Sequence, residues 1–460
     1  MNDRYALILA AGKGTRMKSK KYKVLHPVCG KPMVQHVVDA AKRMNPQKTI
    51  LVVGHGAEDV RQQLGPDVTY VLQEQQLGTG HAVKVAKDQL EGKQGHTLIL
   101  YGDTPLITAE VLEELIQFHE EEQAIVTILT ANMDNPTGYG RIVRDRHGNV
   151  LKIVEHKDAS TQEKEIQEIN TGIYCFSNEH LVNTLDKLTN QNAQGEYYIT
   201  DCIEILKKQN HKVAAFLTED TDVTHGVNDR IALAEAEKLM RLRINKQHML
   251  QGVTIIDPEN TYIGPDVTIG MDTTILPGTI LSGHTVIGED CVIGPYAELR
   301  HVHIGDGVAI EYAVLVESEV GDTTTVGPYA YIRPGSSIGK GSKIGDFVEI
   351  KNSTIGDGAK IPHLSYVGDA DIGAKVNMGC GSLTVNYDGS QKHRTVVEEG
   401  SFVGCNVNLV APVQIGPGAY IAAGSTITDS MPGDSFAIAR QRQVTKENYA
   451  QKLKEKKKTK

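Results

Sequence analysis

Aliphatic residues recur at six-residue intervals through the second half of the chain. Ile263, Ile269, Ile275, Leu281, Ile287, Ile293 and Leu299 keep a strict interval, and with three five-residue steps the series runs on through Ile304, Ile310, Leu315, Val320, Val326, Ile332, Ile338, Ile344 and Ile350. Val403, Leu409, Ile415, Ile421 and Ile427 resume it. Six matches neither the turn of a helix nor the alternation of an ordinary strand, so each hexad reads as one side of a triangular parallel β-coil, three hexads to a turn. The aliphatic side chain is expected inside, stacked on its counterparts above and below. The Gly that often follows, as in Ile263-Gly264 and Ile338-Gly339, is expected where the chain bends without a Cβ. From 261 to 428 the pattern predicts about nine coils of roughly 18 residues, a prism around 45 Å long at ~4.8 Å per strand spacing.

Residues 1 to about 227 carry a different rhythm. Tyr5–Ala10, Thr49–Val53 and Thr97–Leu100 read as buried strands and Met33–Met44 and Ala109–Glu121 as helices, an alternation that predicts a mainly parallel, doubly wound sheet. Between the halves, Asn228 or Asp229 can cap a helix in which Ala232, Ala236, Leu239, Leu242 and Met249 form an apolar stripe and Arg241, Arg243 and Lys246 suit the carboxyl end. The expected domains are therefore 1–229, a helical arm at 230–250, and 251–460.

Composition narrows the setting. The 460 residues include no Trp and only six Phe, as a narrow prism interior requires, and most of the 45 Gly fall in the repeat half. A formal charge of −9 argues against general nucleic-acid affinity. The Lys-rich end, 452–460, is expected to be a solvated, disordered tail. Cys29, Cys175, Cys202, Cys291, Cys380 and Cys405 show no metal-like spacing and read as thiols in a reducing cytosol. With no charged leader and no long apolar run, a soluble cytoplasmic protein without a membrane span is expected.

The chemistry of the first half begins where its first strand ends, at Leu9-Ala10-Ala11-Gly12-Lys13-Gly14-Thr15-Arg16-Met17. Two small residues and two Gly let backbone N–H groups approach a phosphate at a strand's carboxyl end, and Arg16 and Lys23 add cations. The loop is neither a Walker sequence nor G-x-G-x-x-G. Three further segments accompany it: Gln73 ahead of Leu77-Gly78-Thr79-Gly80-His81-Ala82, then Tyr101-Gly102-Asp103, then Thr137-Gly138-Tyr139-Gly140-Arg141. Together they resemble sugar-nucleotide pyrophosphorylases. With the hexapeptide half, the chain resembles throughout its length the bifunctional N-acetylglucosamine-1-phosphate uridylyltransferase and glucosamine-1-phosphate N-acetyltransferase family of bacterial cell-envelope synthesis. That resemblance implies a Rossmann-like nucleotidyltransferase domain followed by a left-handed parallel β-helix.

The resemblance also implies roles. Leu9, Ala10, Ala11, Gly12, Gln73, Gly78 and Thr79 would hold the uridine part of UTP; Tyr101 and Gly102 lead to Asp103, which with Asn228 would hold Mg²⁺. Gly140, Glu155 and Asn170 would bind the sugar. Direct attack on UTP needs no nucleophilic side chain, so catalysis would rest on alignment and on the charges of Arg16, Lys23 and the metal. In the second half, Ile361 to Asp369 stands out as a segment stacking alone does not require, and the imidazole there, His363, is a side chain suited to accept a proton from an amine. The family implies His363 as general base, Arg333, Lys351, Tyr366 and Asn377 as the amino-sugar phosphate site, and Cys380, Asn386, Tyr387, Cys405, Ala423 and Arg440 as contacts of acetyl-CoA, the loop at 386–395 being an insertion after the hexads stop. Cys380 stands where relatives often have Ala, and Cys405 where they often have Ser. A homotrimer with acyl sites between neighbouring prisms is implied too. Rival readings are a pyrophosphorylase with a regulatory repeat domain and a non-catalytic assembly subunit; the His363 to Asp369 segment and the Asn386 loop argue against the first, and retention of Arg16, Lys23 and Asp103 argues against the second.

Overall fold

The computed structural model describes residues 3–192 and 194–458. The chain forms two compact units, Met1–Arg243 and Ile244–Lys460.

The first unit is built on one sheet whose strands run in the order Val213–Leu217, Val126–Asn132, Glu168–Ser177, His96–Tyr101, Arg4–Ala10, Lys48–Val53, Thr69–Leu72. Only Glu168–Ser177 is antiparallel to its neighbours in this order. The central strand shows why its sequence is uninterruptedly apolar. Ala6, Ile8 and Ala10 pack into the core on one face, and Tyr5, Leu7 and Leu9 into the core on the other. A strand covered on both faces has no polar side to alternate with.

The second unit is a left-handed parallel β-helix with three flat walls, sheets of 11, 10 and 9 strands, every strand pairing in parallel with its counterpart one coil on. The aliphatic ladder lies inside in register: Ile275, Ile293, Ile310, Val326, Ile344 and Ile361 stack on one wall. Coils at both ends, at Thr254–Ile255 and Phe436–Ala437, extend the prism beyond the sequence-derived span. The glycines after the aliphatic residues have a different role from the one expected. A Cβ on Gly288 would run into Gly305, and one on Gly356 into the backbone of Gly373 and Ala374, so they permit close coil-on-coil approach. A second ladder, of buried hydroxyls, supports the turns: Thr273, Thr324, Ser342 and Ser401 donate to the carbonyls of Gly288, Gly339, Gly356 and Gly416 at 2.8–3.1 Å. Each donation gives a corner carbonyl a side-chain partner, and those of Gly356 and Gly416 also accept from Ala359 and Ala419 N–H at 3.3 Å.

Four sequence expectations shift. The segment around His363 is regular: Ile361 and Val367 are ordinary rungs paired with Ile344 and Ile350. The hexads likewise continue past Gly381 into strand Leu383–Val385 before the loop begins. The Lys-rich end is helical from Tyr449 to Lys458, and Thr459 and Lys460 lie outside the described residues. The bridging helix spans Arg230–Leu250, but its buried stripe is Ala236, Met240, Ile244 and His248, a four-residue step, rather than Leu239, Leu242 and Met249. Polar anchors turn it: Cys29 N–H donates to Glu237 at 2.6 Å in the first unit, and Asn245 Nδ2 donates to the carbonyls of Pro258 and Thr261 at 2.8 and 3.0 Å in the second. No helix among the described residues is long and apolar enough to cross a membrane.

Candidate active sites

In the first unit the candidate residues gather at the carboxyl ends of the parallel strands. Strand Arg4–Ala10 runs into Ala11-Gly12-Lys13-Gly14, and Gly14, in the left-handed region at φ 61°, opens a single 3-10 turn at Thr15–Met17. A Cβ on Gly14 would collide with the stem of Lys23, so this glycine lets Lys23 lie back over the loop. The Lys23 ammonium forms an ion pair with Asp103 and donates to Asn228 Oδ1 at 2.9 Å, and the Arg16 guanidinium donates to the same oxygen at 2.9 Å. The carbonyl of Asp103 accepts from Val227 N–H at 2.8 Å, which ties together the two segments that carry these oxygens. A carboxylate and an amide oxygen thus converge on one cationic group, and two such oxygens are what a hard divalent ion takes from protein when phosphate and water complete its shell. The two possible helix caps separate cleanly: Asp229 accepts from the N–H groups of Ile231 and Ala232 at 3.0 Å, and Asn228 is left to the cations.

Leu9, Ala10 and Ala11 bury their side chains, so they can meet a ligand only through backbone, while Gly12 is exposed. Gln73 is 3% exposed; its Nε2 donates to the Gly78 carbonyl at 3.3 Å and lies 3.0 Å from His81 Nδ1. Its amide is therefore turned inward with the donor side engaged. Beside this group opens a cleft of about 620 Å³ whose walls include Thr79, Tyr101, Gly140, Glu155 and Asn170, together with Tyr139 of the Thr137–Arg141 segment and with Tyr174 and Tyr198, which sequence reasoning did not single out. Gly78 sits at the start of the helix that begins with Thr79, against Tyr197. Gly102 links Tyr101 in the cleft wall to Asp103. A bulge in strand Glu168–Ser177 turns Asn170 toward the cleft, with its amide donating to the Tyr174 hydroxyl at 2.9 Å and accepting from Gly172 N–H at 3.1 Å. The Glu155 carboxyl is pushed above its usual range, first by desolvation between the cleft walls and then by Asp158 and Asp201. Solvent still reaches it through the cleft mouth.

In the second unit, His363 ends strand Lys360–His363, and Asp346 stands directly beneath it in register. His363 Nδ1 and Asp346 Oδ1 are 2.5 Å apart. Hydrogen bonding to His363 holds the Asp346 carboxyl below its usual range. An ionised carboxylate only accepts, so Nδ1 carries a proton and Nε2 is the ring nitrogen left unengaged by Asp346. Both side chains reach solvent, at 52% and 36% exposure. Asp346 was missed in the sequence, although its spacing of one coil from His363 was a usable signal.

On the adjacent wall, Arg333 donates to Glu349 at 2.7 Å, and Lys351 lies 3.7 Å from Asp369, which also accepts from Asn352 at 2.6 Å and from Asn386 at 2.5 Å. Burial would raise the Asp369 carboxyl, but these amides and the ammonium groups of Lys351 and Lys392 outweigh it and hold it low. Lys392, from the loop and also missed in the sequence, is itself held below the usual lysine range by Lys351 beside it. Two crowded ammonium groups with Arg333 and the Tyr366 ring nearby favour a bound anion. Asn377 is not brought to this group; it pairs with Lys360 on the wall that carries His363. Cys380, Cys405 and Ala423 stack at one corner in successive coils, the Cys380 and Cys405 carbonyls accepting from Asn406 and Gly424 at 2.8 Å, and the Arg440 side chain lies beside Gly424. Tyr387 is exposed at the start of the loop, whereas the Asn386 side chain is engaged by Asp369.

Comparison with known proteins agrees with this division of labour. A nucleotidyl transferase model matches residues 5–228, a bacterial transferase hexapeptide (six repeats) model matches 317–352 and 394–429, and a hexapeptide repeat of succinyl-transferase model matches 284–312. Bifunctional protein GlmU of Geobacillus thermodenitrificans is 60% identical over 459 residues, covering 100% of both chains. The proteins of that name from another Geobacillus and from Brevibacillus brevis are 59% and 58% identical over 453 residues, covering 98% of this chain and 99% and 98% of theirs. Two transferase folds with a polar cluster in each, matched from end to end at such identity, leave one assignment: the chain belongs to the bifunctional GlmU family.

Proposed function

We infer that the chain makes UDP-N-acetylglucosamine in two reactions, acetyl transfer from acetyl-CoA to glucosamine 1-phosphate and uridylyl transfer from UTP to the acetylated product with release of pyrophosphate. The observation that carries this reading is that each unit has its own polar machinery: Arg16, Lys23, Asp103 and Asn228 at the sheet edge, and the His363–Asp346 pair beside Arg333, Lys351 and Lys392 on the prism.

For acetylation, His363 Nε2 takes the proton from the substrate amine as the nitrogen lone pair forms a bond to the thioester carbonyl, and the C–S bond to coenzyme A breaks. Asp346 holds the imidazole in the required tautomer and balances the imidazolium that forms. Arg333, Lys351, Lys392 and Tyr366 grip the sugar phosphate, and the corner of Cys380, Cys405, Ala423 and Arg440 receives acetyl-CoA, with Tyr387 at its edge. The first three contacts would be made largely by backbone, which tolerates Cys at 380 and 405. Asn377 lies on a different wall from Arg333 and Lys351, which suits a site completed by a neighbouring copy in a homotrimer.

For uridylyl transfer, a phosphate oxygen of the sugar phosphate attacks the α-phosphorus of UTP as the bridging bond to pyrophosphate breaks. Arg16 and Lys23 bind the phosphates, Leu9 to Gly12, Gln73, Gly78 and Thr79 hold the nucleoside, and Gly140, Glu155 and Asn170 position the sugar in the cleft. Asp103 and Asn228 would hold Mg²⁺, which when bound neutralises phosphate charge. Six free thiols fit a cytoplasmic setting.

The test is a coupled assay on one purified sample. Acetyl-CoA consumption and pyrophosphate release should both depend on glucosamine 1-phosphate, and the sample should sediment at three chain masses; release of pyrophosphate without acetyl-CoA consumption would leave a simple pyrophosphorylase. Gly14→Ala should slow pyrophosphate release by about 10- to 100-fold through displacement of Lys23, with acetylation unchanged in the same assay.

A further inference from the structure

The first unit contains a cluster that neither reaction uses. His96 opens strand His96–Tyr101, Cys175 lies on the neighbouring strand Glu168–Ser177 opposite Leu98, and His119 projects from helix Ala109–Glu121. One ligand atom from each of these three residues lies within 4.8 Å of the others, and this is the only such trio found among the described residues. The cluster sits at the amino end of its parallel strand, whereas the phosphate loop and Asp103 follow the carboxyl ends.

We propose that His96, His119 and Cys175 form a structural site for Zn²⁺, clipping helix Ala109–Glu121 to the sheet. Two imidazoles and a thiolate are the borderline-soft donor set that selects zinc over the Mg²⁺ of an oxygen-lined site. Outer partners orient both rings as they do around bound metals. Glu120 Oε1 lies 3.3 Å from His96 Nε2, and Thr127 Oγ1 lies 2.8 Å from His119 Nδ1. His119 is 1% exposed, and its Nε2 is buried without a hydrogen-bond partner. A buried ring nitrogen in that position is costly unless something accepts its lone pair.

Burial also raises the Cys175 thiol well above its usual value. Binding must therefore release that proton: the S–H bond breaks, a sulfur–zinc bond forms, and H⁺ passes to solvent. The neighbouring cation does not forbid it, since Arg4 is paired with Glu113 at 2.7 and 2.8 Å. Zn–N bonds of about 2.0–2.1 Å and a Zn–S bond of about 2.3 Å need the three ligand atoms drawn roughly an ångström closer, within reach of side-chain rotation. A fourth position would fall to water.

Co²⁺ is the probe. Full-length protein stripped with chelator and kept in excess Mg²⁺ should, on addition of Co²⁺, develop a thiolate-to-cobalt charge-transfer band that saturates at one equivalent, and Zn²⁺ should abolish the band by displacement. Saturating Zn²⁺ should raise the melting temperature of the first unit by about 5 °C or more. Cys175→Ser and His119→Gln should each lose the band. Absence of the band in the unmodified protein overturns the proposal whatever the variants do, and a band of undiminished intensity in Cys175→Ser assigns the cobalt to another thiol and overturns it as well.

Discussion

His363→Ala should lower the acetylation rate by about 10²–10⁴ while uridylyl transfer stays at its original rate. The expectation rests on the position of the side chain. His363 is half exposed on a coil whose inward rungs are Ile361 and Val367, so its loss removes nothing from the aliphatic ladder. The wall hydrogen bonds around it are backbone to backbone and survive the change. The melting temperature should therefore move by no more than about 2 °C, which separates loss of chemistry from loss of fold. Asp346→Asn should produce a smaller loss of the same activity, because an amide can still face Nδ1 but no longer balances an imidazolium. The sign of the pH dependence follows from the pair. The Asp346 carboxyl is held low by its hydrogen bond, so the contribution of that bond to stability is complete above the ordinary carboxylate range and disappears only as pH falls below it. A fall in acetylation within or above that range would then be a loss of chemistry with the prism still folded, and circular dichroism recorded beside the rate distinguishes it from unfolding. An Ala variant that keeps more than about a tenth of the acetylation rate at saturating substrate removes His363 from the role of base.

Asp103→Ala is expected to reduce pyrophosphate release by about 10²–10³ or more and to leave acetyl-CoA consumption intact. Among the described residues Asp103 is the one carboxylate in contact with the Lys23 ammonium, and without it that ammonium keeps only Asn228 Oδ1. The convergence of two oxygens, which is what a divalent ion would use, is then gone. Added Mg²⁺ should recover little activity even at high concentration, whereas a variant that lost only alignment would be partly restored. Equal loss of both activities would contradict two independent sites. The residues proposed for acetylation all lie between Arg333 and Arg440, and none of them belongs to the first unit.

The repeat half was readable because its geometry is periodic. A coil of three short sides puts the same inward position in the sequence again and again, and stacking identical layers is the only way such short strands bury their apolar side chains. The doubly wound half was readable for a related reason: strands buried on both faces are continuous apolar runs, and a Gly-rich turn at the end of one of them marks the ligand edge. What periodicity left out were the contacts between coils. Asp346 and His363 are far apart in a reading that moves along the chain, yet adjacent once one coil lies on the next. Lys392 meets Lys351 only because the loop at 386–394 folds back over the wall, held there by the bonds of Arg394 to Asp371 at 2.5 and 2.6 Å.

The glycines show the same division. Their positions were plain from the sequence, but whether each served a bend or a close approach depended on which backbone passed within contact distance, and at Gly288 and Gly356 it was the coil above. At Gly14 it was a lysine stem nine residues on. The choice between Asn228 and Asp229 as helix cap could not be made from two adjacent residues with equal capping chemistry; tertiary structure made it by bringing Arg16 and Lys23 to one and the free N–H groups of the helix to the other. Composition, periodicity and loop chemistry therefore determined the two folds and the segments that carry their chemistry, because those depend on local pattern and burial. The partners of each charged side chain were decided only in three dimensions, because electrostatic and hydrogen-bonding energies act over a few ångströms of space and are indifferent to distance along the chain.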